Sequence, residues 1–378
     1  MKSLQTQGIA LPRLGLGTFR MQGAACQAAV ESALALGYHH IDTSEMYGNE
    51  DDVGAAIAAS GIARRDLHVT TKVWHDHLAP EAIQRAFDAS LDRRGLDQVD
   101  LYLVHWPAAD TDLPAVLSTL MRLKDEGRTR AIGVASFTLP MLRQAIEEID
   151  APIACNQVEH HVFLDQTLML HYLRSKAIPL IAHCPLAQGQ TAENSELARI
   201  GEKHGASAAR VALKWLLDQD GIAAIPKAGR AASQRANFDA LSLTLDAQDR
   251  RVIASLPKDL RLVNPPSILR AAILGRAGRG GRQCRPPRHR TSRAHDAHAR
   301  EIADHLAPLG LRWWCESRVD ALMHFSDETW RRLKNAGLTM VFCGAESGNN
   351  EVLKKMQASP PIRFWGRHRA PANSASQP

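Results

Sequence analysis

Residues 41–50, IDTSEMYGNE, place a carboxylate, Asp42, five positions ahead of a phenol, Tyr47. Two further ionisable groups close β-rich runs downstream, Lys72 in LHVTTKV (67–73) and His105 in VDLYLVH (99–105). Singly each has an ordinary structural reading: an Asp capping a helix, a Tyr at a rim, a Lys on a solvated lip, a His satisfied in a core. Together they form an acid–base set. A phenol of pKa about 10 is a poor acid at neutral pH, and a neighbouring ammonium favours the phenolate, so Lys72 is expected to lower the Tyr47 pKa. Asp42 would keep Lys72 charged and oriented. His105, as a neutral imidazole, could donate a hydrogen bond to a substrate carbonyl and fix its angle. An acid beside a carbonyl, with no activated nucleophile, paired carboxylates or clustered metal ligands nearby, leaves attack on the carbon to another agent. A hydride is the natural candidate.

Strand ends are where such groups can converge. The runs LGLGTF (14–19), HHIDTS (39–44), LHVTTKV, VDLYLVH, AIGVAS (131–136), IACNQVE (153–159), PLIAHCP (179–185) and IAAIPKA (222–228) alternate with amphipathic helical stretches such as EAIQRAFDASLDRRG and SAARVALKWLLDQ. Eight strand–helix repeats, with strands apolar on both faces, are the pattern of a closed parallel (β/α)8 TIM barrel, whose chemistry sits at the carboxyl ends of the strands. SLQTQGIALP, with its turn-forming Gly8, reads as a hairpin ahead of the first barrel strand. An open doubly wound sheet competes, but no G-x-G-x-x-G follows the first strand.

The 378 residues, 45% hydrophobic, exceed one barrel of about 250 residues and leave a remainder. No apolar run of about 20 residues is present to span a bilayer. The N-terminus lacks a signal-like apolar core, so cytoplasm is the expected compartment. The six cysteines form no CxxC group, which argues against a disulfide framework and a clustered metal site. Residues 268–378 hold 19 Lys and Arg against 9 Asp and Glu, so with +6 overall the first 267 residues carry −4. The basic charge peaks in GRAGRGGRQCRPPRHRTSR, where Arg recurs every third residue without an apolar face. That run is read as an unfolded linker rather than a nucleic-acid arm.

Over residues 1–267 the sequence resembles the aldo-keto reductase superfamily, through GLGTF (15–19), IDTSEMYGNE, TKVW (71–74), LVHWP (103–107), GVASF (133–137), NQVEHH (156–161) and IPKA (225–228). Short loops make it most similar to the bacterial 2,5-diketo-D-gluconate reductase branch. The resemblance implies a monomer that reduces a small carbonyl, such as 2,5-diketo-D-gluconate or methylglyoxal, with NADPH, and places Asp42, Tyr47, Lys72 and His105 on the family's catalytic tetrad. It implies cofactor contacts at Gly17, Thr18, Asp42, Ser136, Gln157, His183, Pro185, Leu186, Lys227, Arg230, Arg235 and Asn237. Ala135 and Ser136 stand where relatives have Ser-Asn, His183 where they have a stacking Tyr, and Cys184 where they have Ser. The implied substrate wall is Phe19, Trp74 and Trp106. The alternative within the same family is a cofactor-binding regulatory subunit with little turnover.

The remainder divides into an Arg-rich linker (268–300), a fragment (301–356) and a disordered tail (357–378). Residues 315–356 resemble a mid-barrel portion of radical S-adenosylmethionine enzymes, but the C-x3-C-x2-C needed for their cluster is missing, so no radical chemistry is expected.

Overall fold

The computed structural model describes residues 3–107, 111–263, 299–300, 303–304, 307, 313–317, 325–336 and 338–343. The chain divides into two compact units, Met1–Gly278 and Arg279–Pro378. Of the expected linker over 268–300 only Ala299 and Arg300 are described, both helical, and the expected tail over 357–378 lies outside the described residues.

The first unit opens with a hairpin, β1 (Ser3–Thr6) paired antiparallel to β2 (Ile9–Pro12). Its two-residue turn holds Gln7 and Gly8 at φ of 42° and 78°, the left-handed pair that matches strand twist. Eight parallel strands follow: β3 (Leu16–Gly17), β4 (His40–Asp42), β5 (His68–Val73), β6 (Val99–Val104), β7 (Thr129–Ala135), β8 (Ile153–Glu159), β9 (Leu180–His183) and β10 (Ile222–Ala224). They pair in sequence order. Parallel bridges Leu14–Ala224 and Gly17–Lys227 join the first strand to the last and close the barrel. Closure requires Gly17, because a Cβ there would lie 2.8 Å from the Ile225 carbonyl oxygen.

Strand alternation divides the interior into layers. Outward residues such as Val69, Val73 and Val104 pack beneath the helices in the main apolar cluster. Inward residues Leu101, Leu103, Ala131, Cys155, Ile181 and Ala223 form a second cluster, with Ile9 and Leu11 of the hairpin stoppering one end. Thr6 Oγ1 donates to Ala154 O at 2.9 Å and fixes that stopper. On the β4–β5 side the lumen is polar: His40, His68 and Thr70 are buried, with His40 and His68 edge to face at 4.6 Å. Above them come Asp42 and Lys72.

In the second unit, β11 (Trp313–Ser317) pairs parallel with β12 (Leu338–Cys343) across the helix Asp327–Asn335, whose cap is Ser326. Phe325 and Trp330 are half-buried with ring centroids 5.6 Å apart, beside a small cluster that includes Ala303 and Leu333.

Candidate active site

Three consecutive strand ends deliver the expected set. Lys72, fully buried near the end of β5, lies 2.5 Å from Asp42 Oδ1 at the end of β4 and donates a second bond to Thr43 O at 2.8 Å. Asp42 Oδ2 accepts from Gln157 Nε2 of β8 at 2.8 Å. Tyr47 lies on the 3-10 turn Glu45–Tyr47 just beyond β4, with the Lys72 ammonium 5.1 Å from its ring centroid. His105, one residue past β6, meets the Tyr47 ring edge to face at 5.6 Å and bonds Ser44 Oγ through Nδ1 at 2.9 Å.

The loop carrying Tyr47 is held by the rest of its motif. Asn49, fully buried, donates to Thr18 O and Met21 O at 2.9 Å each and accepts from Thr43 Oγ1 at 2.8 Å. One amide thus ties the loop after β3 to the loop after β4. Glu50 is buried at the start of the helix Glu50–Ala59, where it accepts from Thr71 Oγ1 at 2.6 Å, Ser90 Oγ at 2.8 Å, Arg93 and the buried Arg94. A carboxylate in that position is tolerable only because every lone pair is engaged. Gly48 supplies the left-handed φ of 64° between the phenol and these two anchors. Ser44, Asn49 and Glu50 carried no assignment in the sequence reading. Their signal was present as polar residues in a segment flanked by buried strand.

Electrostatics corrects one expectation. Burial raises the Tyr47 pKa, and Lys72, although it pulls the other way, does not overturn that effect. The phenol therefore stays protonated at neutral pH, which a proton donor requires. For Lys72 burial favours the neutral amine, but Asp42 and then Tyr47 outweigh it and raise its pKa, keeping the ammonium. Burial, reinforced by Lys72, drives His105 well below the usual range, so its imidazole is neutral.

The other expected residues distribute around this centre. Gly17 and Thr18 follow β3, and Thr18 is tied to Asp42 O through both its backbone N–H and its hydroxyl. Ser136 lies one residue past β7 at a left-handed φ of 60°, with its N–H on Gln157 O at 2.8 Å. Gln157 gives one amide N–H to Asp42, which leaves its second N–H and its carbonyl oxygen to face a ligand. His183 ends β9, half-buried and pushed down to about 4 by burial; Pro185 and Leu186 form the turn after it. Lys227, Arg230 and Arg235 are exposed around the helix Ala231–Phe238, with Arg230 at its N-cap, whereas Asn237 is buried. Cys184 is a free, half-buried thiol whose pKa is raised by burial, not an activated one. Of the aromatic wall, Phe19 (43% exposed) packs on Tyr47 at 5.0 Å and Trp74 on His105 at 5.0 Å. Trp106 is half-buried, and no ring contact joins it to that pair among the described residues.

Comparison with known proteins agrees with this architecture. Residues 13–257 match the profile of the aldo/keto reductase family. Methylglyoxal reductase DkgB of Escherichia coli O157:H7 is 36% identical over 263 residues, 69% of this chain and 98% of its own. Glyoxal reductase of Bacillus subtilis (strain 168) is 38% identical over 264 residues, 69% of this chain and 95% of its own. Among solved structures, an aldo-keto reductase from a Medee basin deep-sea metagenome library is 36% identical with a TM-score of 0.66, covering 70% of this chain and 97% of that one. These matches do not support the resemblance of residues 315–356 to radical S-adenosylmethionine enzymes.

Proposed function

The chain belongs to the aldo/keto reductase family, a family of oxidoreductases, and from that premise we propose that it reduces small dicarbonyl compounds of the methylglyoxal or 2,5-diketo-D-gluconate kind with NADPH, using Tyr47 as the proton donor. The observation that carries this reading is the convergence of a protonated phenol, a buried ammonium and a neutral imidazole at one barrel mouth.

The residues present fit the cofactor. Three exposed cations, Lys227, Arg230 and Arg235, surround an eight-residue helix whose N-terminus favours anions, and they would hold a 2′-phosphate. Gln157 and Ser136 would hold the carboxamide, with His183 stacked in place of a larger ring. The chemistry a dihydronicotinamide held there would supply is a hydride for the carbonyl carbon. The remaining work belongs to the chain. As negative charge grows on the carbonyl oxygen, Tyr47 transfers its proton to it, and Lys72 stabilises the phenolate left behind. Asp42 prevents Lys72 from losing its own proton instead. His105 and Trp74 orient the carbonyl, and the shallow aromatic wall of Phe19, Trp74 and Trp106 suits short substrates. Unpaired thiols at Cys26, Cys155 and Cys184 suit a reducing compartment such as the cytoplasm. No described helix is long and apolar enough to cross a membrane. A monomer suffices for the site, since every group named comes from one barrel.

Steady-state NADPH oxidation with methylglyoxal, glyoxal and 2,5-diketo-D-gluconate tests the proposal. Turnover on at least one is expected. Tight NADPH binding with no turnover on any would instead indicate a regulatory subunit.

A further inference from the structure

Strand β4 stops at Asp42, while β5 runs on beside it to Val73. Thr43 N–H still reaches Thr70 O at 2.9 Å. The backbone groups of alternate residues in a strand face alternate neighbours, so Val73 turns to β6, where it accepts the His105 N–H at 2.9 Å, and Lys72 and Trp74 turn to the side that β4 has left. Side chains continue the ladder there. Ser44 Oγ lies 3.3 Å from Lys72 O, and Glu45 Oε1 accepts the Trp74 N–H at 2.5 Å. Both Glu45 oxygens also lie 3.2 Å from His77 Nδ1. The Glu45 side chain is only 9% exposed, so water does not compete freely for it. An acidic residue that opens a helical turn ordinarily complements that turn's own N–H groups. Here Ser44 Oγ accepts from Met46 N–H at 3.4 Å, and the Glu45 carboxylate is directed to a different loop. Its backbone belongs to the turn Glu45–Tyr47 that carries the phenol, and its oxygens hold Trp74 and the turn His75–His77. The Trp74 ring in turn packs on His75 at 4.5 Å and on His105 at 5.0 Å, and His105 meets Tyr47.

We propose that Glu45 is a positioning residue that joins the proton donor's turn to the aromatic wall, holding Trp74 against His105 so that the wall is formed before a carbonyl arrives. The effect on substrate rests on the reductase reading above; the coupling of the two loops does not. Removing the carboxylate leaves the Trp74 N–H without its acceptor and detaches Trp74–His77 from Glu45–Tyr47. Binding a carbonyl must then order Trp74 as well, which weakens binding without altering the proton that Tyr47 gives. KM rises and kcat holds. The cations proposed to hold the 2′-phosphate follow β10 and touch neither loop, so NADPH affinity is unchanged. Glu45→Gln keeps an oxygen for the Trp74 N–H, whereas Glu45→Ala removes it.

Amide hydrogen exchange of the full chain reads the clamp with no substrate present. Glu45→Ala should speed exchange at Trp74 by roughly tenfold or more, the worth of a hydrogen bond to a charged group, and Glu45→Gln should restore most of the protection. With methylglyoxal at saturating NADPH, Glu45→Ala should raise KM by roughly tenfold and leave kcat within about twofold, and Glu45→Gln should recover KM. Introduced into Trp74→Ala, the same Glu45→Ala change should add nothing further to KM, because its effect passes through Trp74. Unchanged exchange at Trp74 in Glu45→Ala overturns the clamp. A loss confined to kcat, or a KM effect that persists in full without the Trp74 ring, overturns the positioning role. Faster exchange in Glu45→Ala without turnover of any carbonyl by the unsubstituted protein would sink the reductase reading and leave the coupling of the two loops standing.

Discussion

Substituting Asp42→Asn removes one charge from a pair that is 0–1% exposed and 2.5 Å apart. Breaking a buried pair by neutralising one partner costs about 3–5 kcal/mol, because the other charge stays desolvated. Thr43 O remains 2.8 Å from Lys72 Nζ, and Gln157 can still meet an amide, so the lower end, about 3 kcal/mol, applies. For a domain of this size each kcal/mol moves the melting temperature by about 2–4 °C, which gives a fall of about 6–12 °C. Lys72→Met should cost a similar amount by stranding the carboxylate. The double substitution Asp42→Asn/Lys72→Met strands neither charge, and should therefore be less destabilised than the sum of the singles by more than about 1 kcal/mol. Thermal and urea denaturation followed by circular dichroism on all four proteins completes the cycle. Single shifts below about 2 °C with additive behaviour would refute the claim that this pair is energetically coupled.

Lys227→Ala should weaken NADPH roughly 10–150-fold, the worth of a charge-assisted contact, and leave NADH nearly unchanged; equal weakening measured by fluorescence titration would move the phosphate site elsewhere. Burial holds the folded-state pKa of His40 at about 4, below its unfolded value of about 6.5. The unfolded chain therefore binds a proton that the folded one refuses, and stability should fall between about pH 6.5 and 4 by about 3 kcal/mol from this residue, an effect that His40→Asn should reduce in urea titrations. Truncation after Ser267 should preserve kcat/KM and melting temperature, since the barrel closes through Leu14–Ala224 and the contacts of Leu262 and Val263 N–H on Glu159, at 2.7 and 2.9 Å, are retained. A tenfold loss of kcat/KM would place the tail in the active unit.

The barrel was legible because its strands are buried on both faces and read as apolar runs, and because a polar residue at the carboxyl end of such a run stands out. Asp42, Lys72 and His105 were found by that contrast alone. Partners across the lumen were not legible: nothing in local pattern links Gln157 to Asp42, or Glu50 to Arg94 44 positions away, since barrel closure brings them together. The sign of the Tyr47 shift was missed for a related reason. The effect of a neighbouring ammonium can be argued from residue types, but desolvation depends on everything packed around the ring. Ser44 was passed over because its role arises where β4 stops, and strand ends are the least determined feature of a sequence pattern.

The central proposal is that Tyr47 gives a proton to the carbonyl oxygen. Single-turnover reduction of methylglyoxal by NADPH, compared between the unsubstituted protein and Tyr47→Phe and paired with NADPH titration of both, tests it most directly. The phenyl ring keeps the packing against Phe19 and His105 and removes only the hydroxyl. A fall of about 10²–10⁴ in the reduction rate with NADPH affinity nearly unchanged is predicted; a Tyr47→Phe rate within tenfold of the original would contradict the assignment of Tyr47 as the acid.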